Sequence, residues 1–463
     1  MNLELNVFET HGQVSPTPRV HYIQHEFEVP QGLGTLNVTL RYRKERLCQL
    51  FLSIFGPNGY RGTRMMPGAT GDIVLELEFG VGHASFGAIP GSLEPGTWRV
   101  QIDVERTEET ANYALTVAGS REARASSPTL TPASANGRAN GRTGAGWYRG
   151  ELHSHSTHSD GKTSVSGVLE AARKFGLDFI SLTDHFTHAG WHEADSLSSE
   201  DLCVIHGIEL TGHAGHANLH GLSEWVNTFV DEPGSEWNIG SVAQAARAQG
   251  GLFCVNHPFS LTLGWRYHAL EWSAVDALEI YHHLEGPNNT AQLGLWDGLL
   301  RAGQRITGVA GTDSHDAFSG RHRLGHVFSV VYADSLSPAA ILEGVRAGRT
   351  YVSLGPTLEF RAFSGDNEAT MGQTLDSPGE VRLEVTLEKL DYPARVIVLK
   401  NGLYHAHKDI PAAREVTALE FFDDAPIPGY YRLEVFAREA QPTNFTGRDW
   451  NNTLLLSNPI FVA

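Results

Sequence analysis

Cysteine is scarce. Only Cys48, Cys203 and Cys254 occur in 463 residues, and no two form a CxxC pair. That excludes a disulfide framework and a thiolate zinc site. Cys203 and Cys254 stand in apolar runs, the setting of buried, inert thiols. No run of 18 apolar residues exists, so no segment reads as a membrane-spanning helix. The opening residues MNLELNVFETHGQ lack a basic start followed by an apolar core. A cytoplasmic protein without a signal peptide is expected. Positive charge is also short: 35 Lys and Arg face 53 Asp and Glu, a formal charge of −18. This balance speaks against a long nucleic acid as partner and against docking on an anionic membrane. A small-molecule substrate is the expected partner.

Histidine, by contrast, is concentrated. Of 23 histidines, 17 fall between His153 and His326, where a proportional share is about nine. Histidine is the commonest metal ligand and acid/base group, so the chemistry is expected in that span.

At about 100–200 residues per domain the length suggests two to four domains. Residues 1–120 read as an N-terminal β-sandwich. Strand-like runs such as Leu36–Tyr42 and Trp98–Val104 are separated by turn signals such as GPNG at 56–59. Residues 121–146 are rich in Ser, Ala, Gly and Pro and read as a flexible linker. From 147 to 357 apolar runs alternate with helical stretches. Phe179–Leu182, Leu202–Ile208, Leu252–Val255, Ala277–Ile280 and Ile306–Val309 read as buried parallel strands. Val165–Phe175, Ile239–Ala248, Asn289–Ala302 and Pro338–Ala347 read as helices. The fold class is therefore α/β, and its active site belongs at the carboxyl ends of the strands. Residues 358–463 return to strand patterns and read as a second, Ig-like sandwich.

Five polar clusters each follow a predicted strand. Glu151-Leu-His153-Ser-His155-Ser-Thr-His158-Ser-Asp160-Gly161 follows Trp147–Leu152. His153 and His155 share one face of an extended chain, and Asp160 follows in the loop. Thr183-Asp184-His185 follows Phe179–Leu182; Asp184 is either a helix cap or the carboxylate that orients a histidine. Glu209 ends Leu202–Ile208, and His213, His216 and His220 come soon after, each a possible ligand. Asn256-His257-Pro258 follows Leu252–Val255. Gly311-Thr312-Asp313-Ser314-His315 follows Ile306–Val309. Any one cluster has a bland explanation as a polar turn. Five in order at the ends of one domain's strands converge in space. Imidazole with carboxylate and no thiolate suits Zn, Mn or Fe. The ligands outnumber the needs of one tetrahedral ion, so two or three divalent ions are expected.

Together HSHSTHSDG (153–161), LTDH (182–185), GIE (207–209), GHANLHG (215–221), NHP (256–258) and GTDSH (311–315) resemble the PHP (polymerase and histidinol phosphatase) metal-dependent hydrolases. The CehA/McbA-like branch is the most similar, and RAGRTYVSLGP (346–356) looks like the end of its domain. The resemblance implies a PHP-type distorted (β/α)7 barrel flanked by the two sandwiches. It implies one ion on His153, His155, Glu209 and Asp313. Glu209 would bridge to a second with His216 and His257. Asp160, His185 and His315 would hold a third. Asp160 stands where some members carry histidine.

The chemistry implied is hydrolysis by a metal-bridging hydroxide. No GxSxG nucleophile sequence appears. A spare histidine would protonate the leaving group; His158, His188, His213, His220, His282 and His283 are candidates. His158, Asp184 and His220 form the expected catalytic set. Lys162, Arg266, Arg321 and Arg323 are candidate phosphate cations. Trp191, Phe259, Trp265, Tyr281 and Phe318 are candidate walls for an aryl group. A phosphoesterase acting on a small mono- or diester is expected first. A carboxylic or carbamate ester or amide hydrolase is the alternative, and a non-catalytic binding protein with a relic barrel is a third.

Overall fold

The computed structural model describes residues 5–16, 21–46, 48–65, 70–122, 143–230, 238–282, 286–320, 322–376, 379–412, 415–438 and 452–463. His283, Arg321 and most of the expected linker (123–142) lie outside them. Gly144–Gly146, expected to be linker, belong instead to the first strand of the central unit.

The central strands are β1 (Thr143–Glu151), β2 (Phe179–Leu182), β3 (Cys203–Gly212), β4 (Gly215–His220), β5 (Leu252–Val255), β6 (Ala277–His282), β7 (Thr307–Gly311), β8 (Phe328–Ser335) and β9 (Thr350–Ser353). Their order in the sheet is β7-β6-β5-β4-β3-β2-β1-β8-β9. β1, β2 and β3 are mutually parallel, as are β5, β6 and β7. β4 is antiparallel to both β3 and β5, so the six strands all point one way. β2, β3 and β5 are buried at every position, as expected of strands covered on both faces. The sheet does not close as a ladder. β7 approaches β1 only past the strand ends, through a parallel bridge between Ser154 and Ser314.

Five α-helices are present among the described residues: α1 (Val165–Lys174), α2 (Trp191–Leu197), α3 (Ile239–Ala248), α4 (Gly286–Arg301) and α5 (Pro338–Arg346). Ser164 caps α1 by accepting from the Gly167 amide at 3.2 Å, and Gly176 ends it with φ +73°. α2, β4, β8 and β9 fall outside the helices and strands expected from sequence. β4 is a polar strand of a hairpin, and its histidines mask the alternation.

The N-terminal sandwich packs a five-stranded sheet on a four-stranded one around a single apolar core. Alternation such as that of Ala111–Ser120 turns one face of each strand inward. The C-terminal strands are not an independent unit. Thr453–Ser457 pairs antiparallel with β9, joining one C-terminal sheet to the central sheet. A single apolar core runs from α1 and β2 through β9 into these strands. Among the described residues no helix is long and apolar enough to cross a membrane.

Candidate metal centre

The carboxyl ends of the parallel strands meet at one place. His153 and His155 stand just past β1, and His185 just past β2. Glu209 lies within β3, His257 past β5, and Asp313 and His315 past β7. The backbone continues the ladder through these residues. Thr183 N donates to Ser154 O at 2.9 Å, His155 N to Ser314 O at 2.9 Å, and Phe186 N to Glu209 O at 3.0 Å. β4 runs the other way, so its first residues, not its last, lie at this end. His216 is therefore paired with Thr211 beside Glu209. His220 is on the same face but four residues deeper, about 13 Å at ~3.3 Å per residue.

Glu209 is the centre. Fully buried, its carboxylate lies 3.3 Å from His153 Nε2, 3.4 Å from His155 Nε2, 2.9 Å from His185 Nδ1, 3.2 Å from His216 Nδ1 and 3.6 Å from His257 Nε2. Asn256 Nδ2 donates to its Oε1 at 2.8 Å. Asp313 Oδ1 lies 3.2 Å from His153 Nε2 and 2.9 Å from His155 Nε2. Asp160 lies 3.1 Å from His315 Nε2 and 3.5 Å from His185 Nε2. Three groups of ligand atoms result, each within 4.8 Å of one another. They are His153, His155, Glu209 and Asp313; Glu209, His216 and His257; and His155, Asp160, His185 and His315. Asp313 and His315 are only half-buried, so the cluster opens to solvent there.

These groups have the properties of a cation site. His153 Nε2, His155 Nε2, Glu209 Oε2, His216 Nε2 and Asp313 Oδ1 are all buried, and among the described residues none has a partner at proper hydrogen-bond angles, close as the rings and carboxylates are. Such atoms are costly unless something binds them. The donors are imidazoles and carboxylates, a set that fits Zn, Mn or Fe. Strain sits here too: His257 and Asp313 have φ of +25° and +49°, in a region L-residues avoid.

Sequence reasoning passed over Glu279. It belongs to an otherwise apolar stretch of β6, and a register irregularity beside it in the β6–β7 pairing marks a bulge. His153 Nδ1 donates to Glu279 Oε1 at 2.6 Å, while Glu279 Oε2 accepts from His257 N at 2.8 Å and lies 3.2 Å from His282 Nδ1. This fixes the His153 tautomer and leaves its Nε2 to face Glu209 and Asp313. His153, Glu279 and His282 also lie close enough to form a fourth group. The short hydrogen bond marks Glu279 as a partner of the ligand rather than a further ligand. The signal in sequence was a lone acid in a buried strand, three residues before a histidine. Gly311 is required by this contact: a Cβ there would lie 2.0 Å from Glu279 Oε1 and 2.9 Å from His153 Cβ. Gly311→Ala is therefore expected to dislodge Glu279 and weaken metal binding about 10- to 100-fold, the usual range for such partners. A competitive chelator titration measures it.

The three residues of the expected catalytic set lie outside the ligand groups. Asp184 accepts from Ser156 N at 2.8 Å, Ser156 Oγ at 2.7 Å and Ser159 Oγ at 2.6 Å, so both its oxygens hold the loop that carries Asp160. His158 Nδ1 accepts from Gly87 N at 3.2 Å, at the contact with the N-terminal sandwich. His220 is buried against Ser181 Oγ at 2.8 Å, and burial pushes its ring down to about 3.

The electrostatics depend on the cluster as a whole. Burial works against charge on His185 and His315, but their carboxylates outweigh it. Asp160 and Glu209 push His185 up to about 9; Asp160 and Asp313 push His315 up to about 10. Burial would raise Glu209 and Asp313, yet the rings around them hold both well below the usual carboxylate range. Without ions, these rings hold protons at neutral pH. Their pairing stabilises the metal-free fold fully below about pH 6.5 and is lost as pH rises through 9 to 10. Ions compete with those protons. Loading is expected to release protons at pH 7.5, and the thermal stabilisation by metal is expected to grow from pH 7 to 9. Calorimetric titration in two buffers of different ionisation enthalpy reads the protons directly; none released would contradict the assignment.

No family model matches the chain. An uncharacterized protein of Methanocaldococcus jannaschii is 26% identical over 159 residues, covering 31% of this chain and 88% of that protein. Similar solved structures include a two-domain protein of Bacteroides vulgatus that contains a predicted PHP-like metal-dependent phosphoesterase. It has TM-score 0.38 and 16% identity, covering 72% of this chain and all of that one. Another is an amidohydrolase of Chromobacterium violaceum with bound sulfate, at TM-score 0.28 and 16% identity, covering 36% of this chain and 88% of that one. Likeness of this size is too slight to assign an activity, so function is argued from the side chains themselves.

Proposed function

We propose that this chain is a metal-dependent hydrolase of the PHP type, in the CehA/McbA-like branch, with a distorted (β/α)7 barrel at its centre. Its proposed substrate is a small phosphate mono- or diester. The observation that carries this is the convergence of three ligand groups on one opening, the first two sharing Glu209 and the first and third sharing His155. When bound, the ions supply a water of lowered pKa and Lewis acidity toward the substrate's oxygen.

The chain's own residues do the rest. Glu209, buried among five rings, holds the first and second groups at one carboxylate. Glu279 keeps His153 in the tautomer that points Nε2 at the group. Cys203 and Cys254 do not compete as nucleophiles: burial pushes the Cys203 thiol up to about 12 and raises Cys254 well above its ordinary value. Among the spare histidines, His282 is proposed to protonate the leaving group. Its Nε2 faces Asp313 Oδ2 at 3.8 Å while Glu279 lies at its Nδ1. Three of the other described candidates are placed less well. His188 and His220 are pushed down to about 3 by burial, and His213 lies 3.6 Å from Asp103 of the sandwich.

One observation favours the alternative of an ester, carbamate or amide. The described arginines expected to meet a phosphate are engaged elsewhere: Arg266 donates to His213 O, and Arg323 to Leu324 O while covering the Phe175 ring. Phe259 and Phe318, on loops after His257 and His315, are exposed. Lys162 supports the phosphate reading. It is exposed, and its main chain donates to His315 O at 2.7 Å, which sets the residue at the rim of the third group. The full chain loaded with Mn or Zn should be assayed on chromogenic phosphate mono- and diesters beside aryl esters and carbamates. Phosphate turnover that weakens in KM with Lys162→Ala supports the first reading. Turnover of the carbon esters alone replaces it with the second. No turnover on either with metal bound favours the binding protein.

A further inference from the structure

The loop that carries Asp160 is held from two sides. From within the central unit, Asp184 binds Ser156 and Ser159. From outside, Arg64 of the N-terminal sandwich reaches it. The Arg64 guanidinium is half-buried, and its Nη1 donates to Thr157 O at 3.0 Å and to Ser159 O at 3.1 Å. Those carbonyls belong to the turn that ends at Asp160. The sandwich turn at Gly87 completes the grip. Gly87 N donates to His158 Nδ1, and a Cβ at Gly87 would lie 2.9 Å from His158 O and 2.2 Å from Thr63 O. With φ +82°, Gly87 is the residue type this approach allows.

A second contact reaches the same group through His185. Phe186 follows it with φ +60° and is buried in an aromatic cluster that crosses the two units. Phe51 and Met65 of the sandwich pack there with Phe186 and Phe229. Phe186 stacks on Phe229 at 4.9 Å between centroids, and Tyr60 of the sandwich stacks on Trp225 at 4.2 Å. A backbone angle of this kind in a non-glycine residue persists only where its surroundings hold it. Thus both Asp160 and His185 are placed by contacts from a different unit.

We infer that the N-terminal sandwich completes the His155–Asp160–His185–His315 group, and that Arg64 is the positioning residue that holds Asp160 in place to bind a cation. The inference rests on the metal-dependent reading for its consequence, but the positioning itself is a property of the metal-free chain. It gives the sandwich a role in the chemistry although it supplies no ligand. Arg64 bonds only the turn that ends at Asp160, a ligand of the third group alone, so the third group should respond most.

The test uses the full chain as wild type, Arg64→Ala and Arg64→Lys. Hydrogen exchange of the metal-free proteins reads residues 156–161 against β2 and β3. Arg64→Ala is expected to speed exchange in 156–161 at least about tenfold, with β2 and β3 unchanged. In titration with Mn, the equivalent held by the third group is expected to loosen about 10- to 100-fold, with a smaller change in the others. Arg64→Lys keeps a cationic donor and is expected to restore part of both effects. Unchanged exchange in 156–161 in Arg64→Ala overturns the positioning role, whatever metal binds. Altered exchange with all equivalents unaffected overturns the link to the third group. If wild type binds no metal while its loop still loosens in Arg64→Ala, the metal reading fails and the clamp stands. A merely structural defect would weaken all equivalents together and speed exchange throughout, and would also overturn the proposal.

Discussion

Glu209→Gln is expected to lower turnover at least roughly 1000-fold while leaving a folded protein. The magnitude follows from what the carboxylate does: it is the one anion common to two ligand groups. Losing a single electrostatic stabiliser of a transition state costs about 10²–10³-fold. Losing the shared ligand also weakens the hold on the ions, so the upper end is the minimum. Glutamine keeps the volume and still accepts from Asn256 Nδ2, which now bonds Oε1 at 2.8 Å. The rings that Glu209 keeps charged can shed their protons instead of staying buried and unpaired. The cost to metal-free stability is therefore expected to stay near about 1–3 kcal/mol. Steady-state rates with saturating metal, beside urea unfolding, separate the two effects. Turnover within tenfold of wild type would remove Glu209 from the centre.

Arg432→Ala is expected to give the largest loss of stability, about 3–5 kcal/mol, without touching the metal cluster. Arg432 is fully buried. Its Nε and Nη2 donate to Asp297 at 2.8 and 2.6 Å, and its Nη1 donates to Glu434 at 2.9 Å. Asp297 belongs to α4; Arg432 and Glu434 belong to the C-terminal strand Gly429–Ala437. The guanidinium thus ties that strand to the central unit, and Tyr430 Oη adds a hydrogen bond to Asp297 at 2.8 Å. Alanine removes the guanidinium that pairs both buried carboxylates. Replacing all three with apolar residues (Arg432→Met, Asp297→Leu, Glu434→Leu) removes that penalty, so the triple variant is expected to recover most of the loss. Denaturant unfolding followed by circular dichroism measures both. A single-variant loss below about 1 kcal/mol would mean that water reaches the carboxylates.

The strand ends were legible in the sequence because buried parallel strands read as short apolar runs, and polar clusters punctuate their ends. Phe179–Leu182 and Leu252–Val255 fall where expected, and the side chains of His153, His155, Asp160, His185, Glu209, His257, Asp313 and His315 lie near one another past or near those strand ends. The choice of His216 over His220 needed the direction of β4. Both point to one face, and only the antiparallel turn puts His216 at the mouth. Glu279 was hidden because its role depends on a bulge and on partners 126 and 22 residues away, His153 and His257. Arg64 was hidden for the same reason: its carbonyl partners are 93 and 95 residues along the chain. The C-terminal strands looked like a separate sandwich because pairing between Tyr351 and Ser457 leaves no local trace. Composition and period report what a residue's own element buries. They do not report which distant element arrives beside it.

The most direct test is the metal content of the purified full chain, set beside that of His257→Ala and Asp313→Ala. Two to three equivalents of Zn, Mn or Fe in wild type, reduced in both variants, is the result expected from groups that share Glu209 and meet at one opening. Less than one equivalent after reconstitution, or variants that bind as much as wild type, would contradict a multinuclear centre at these strand ends.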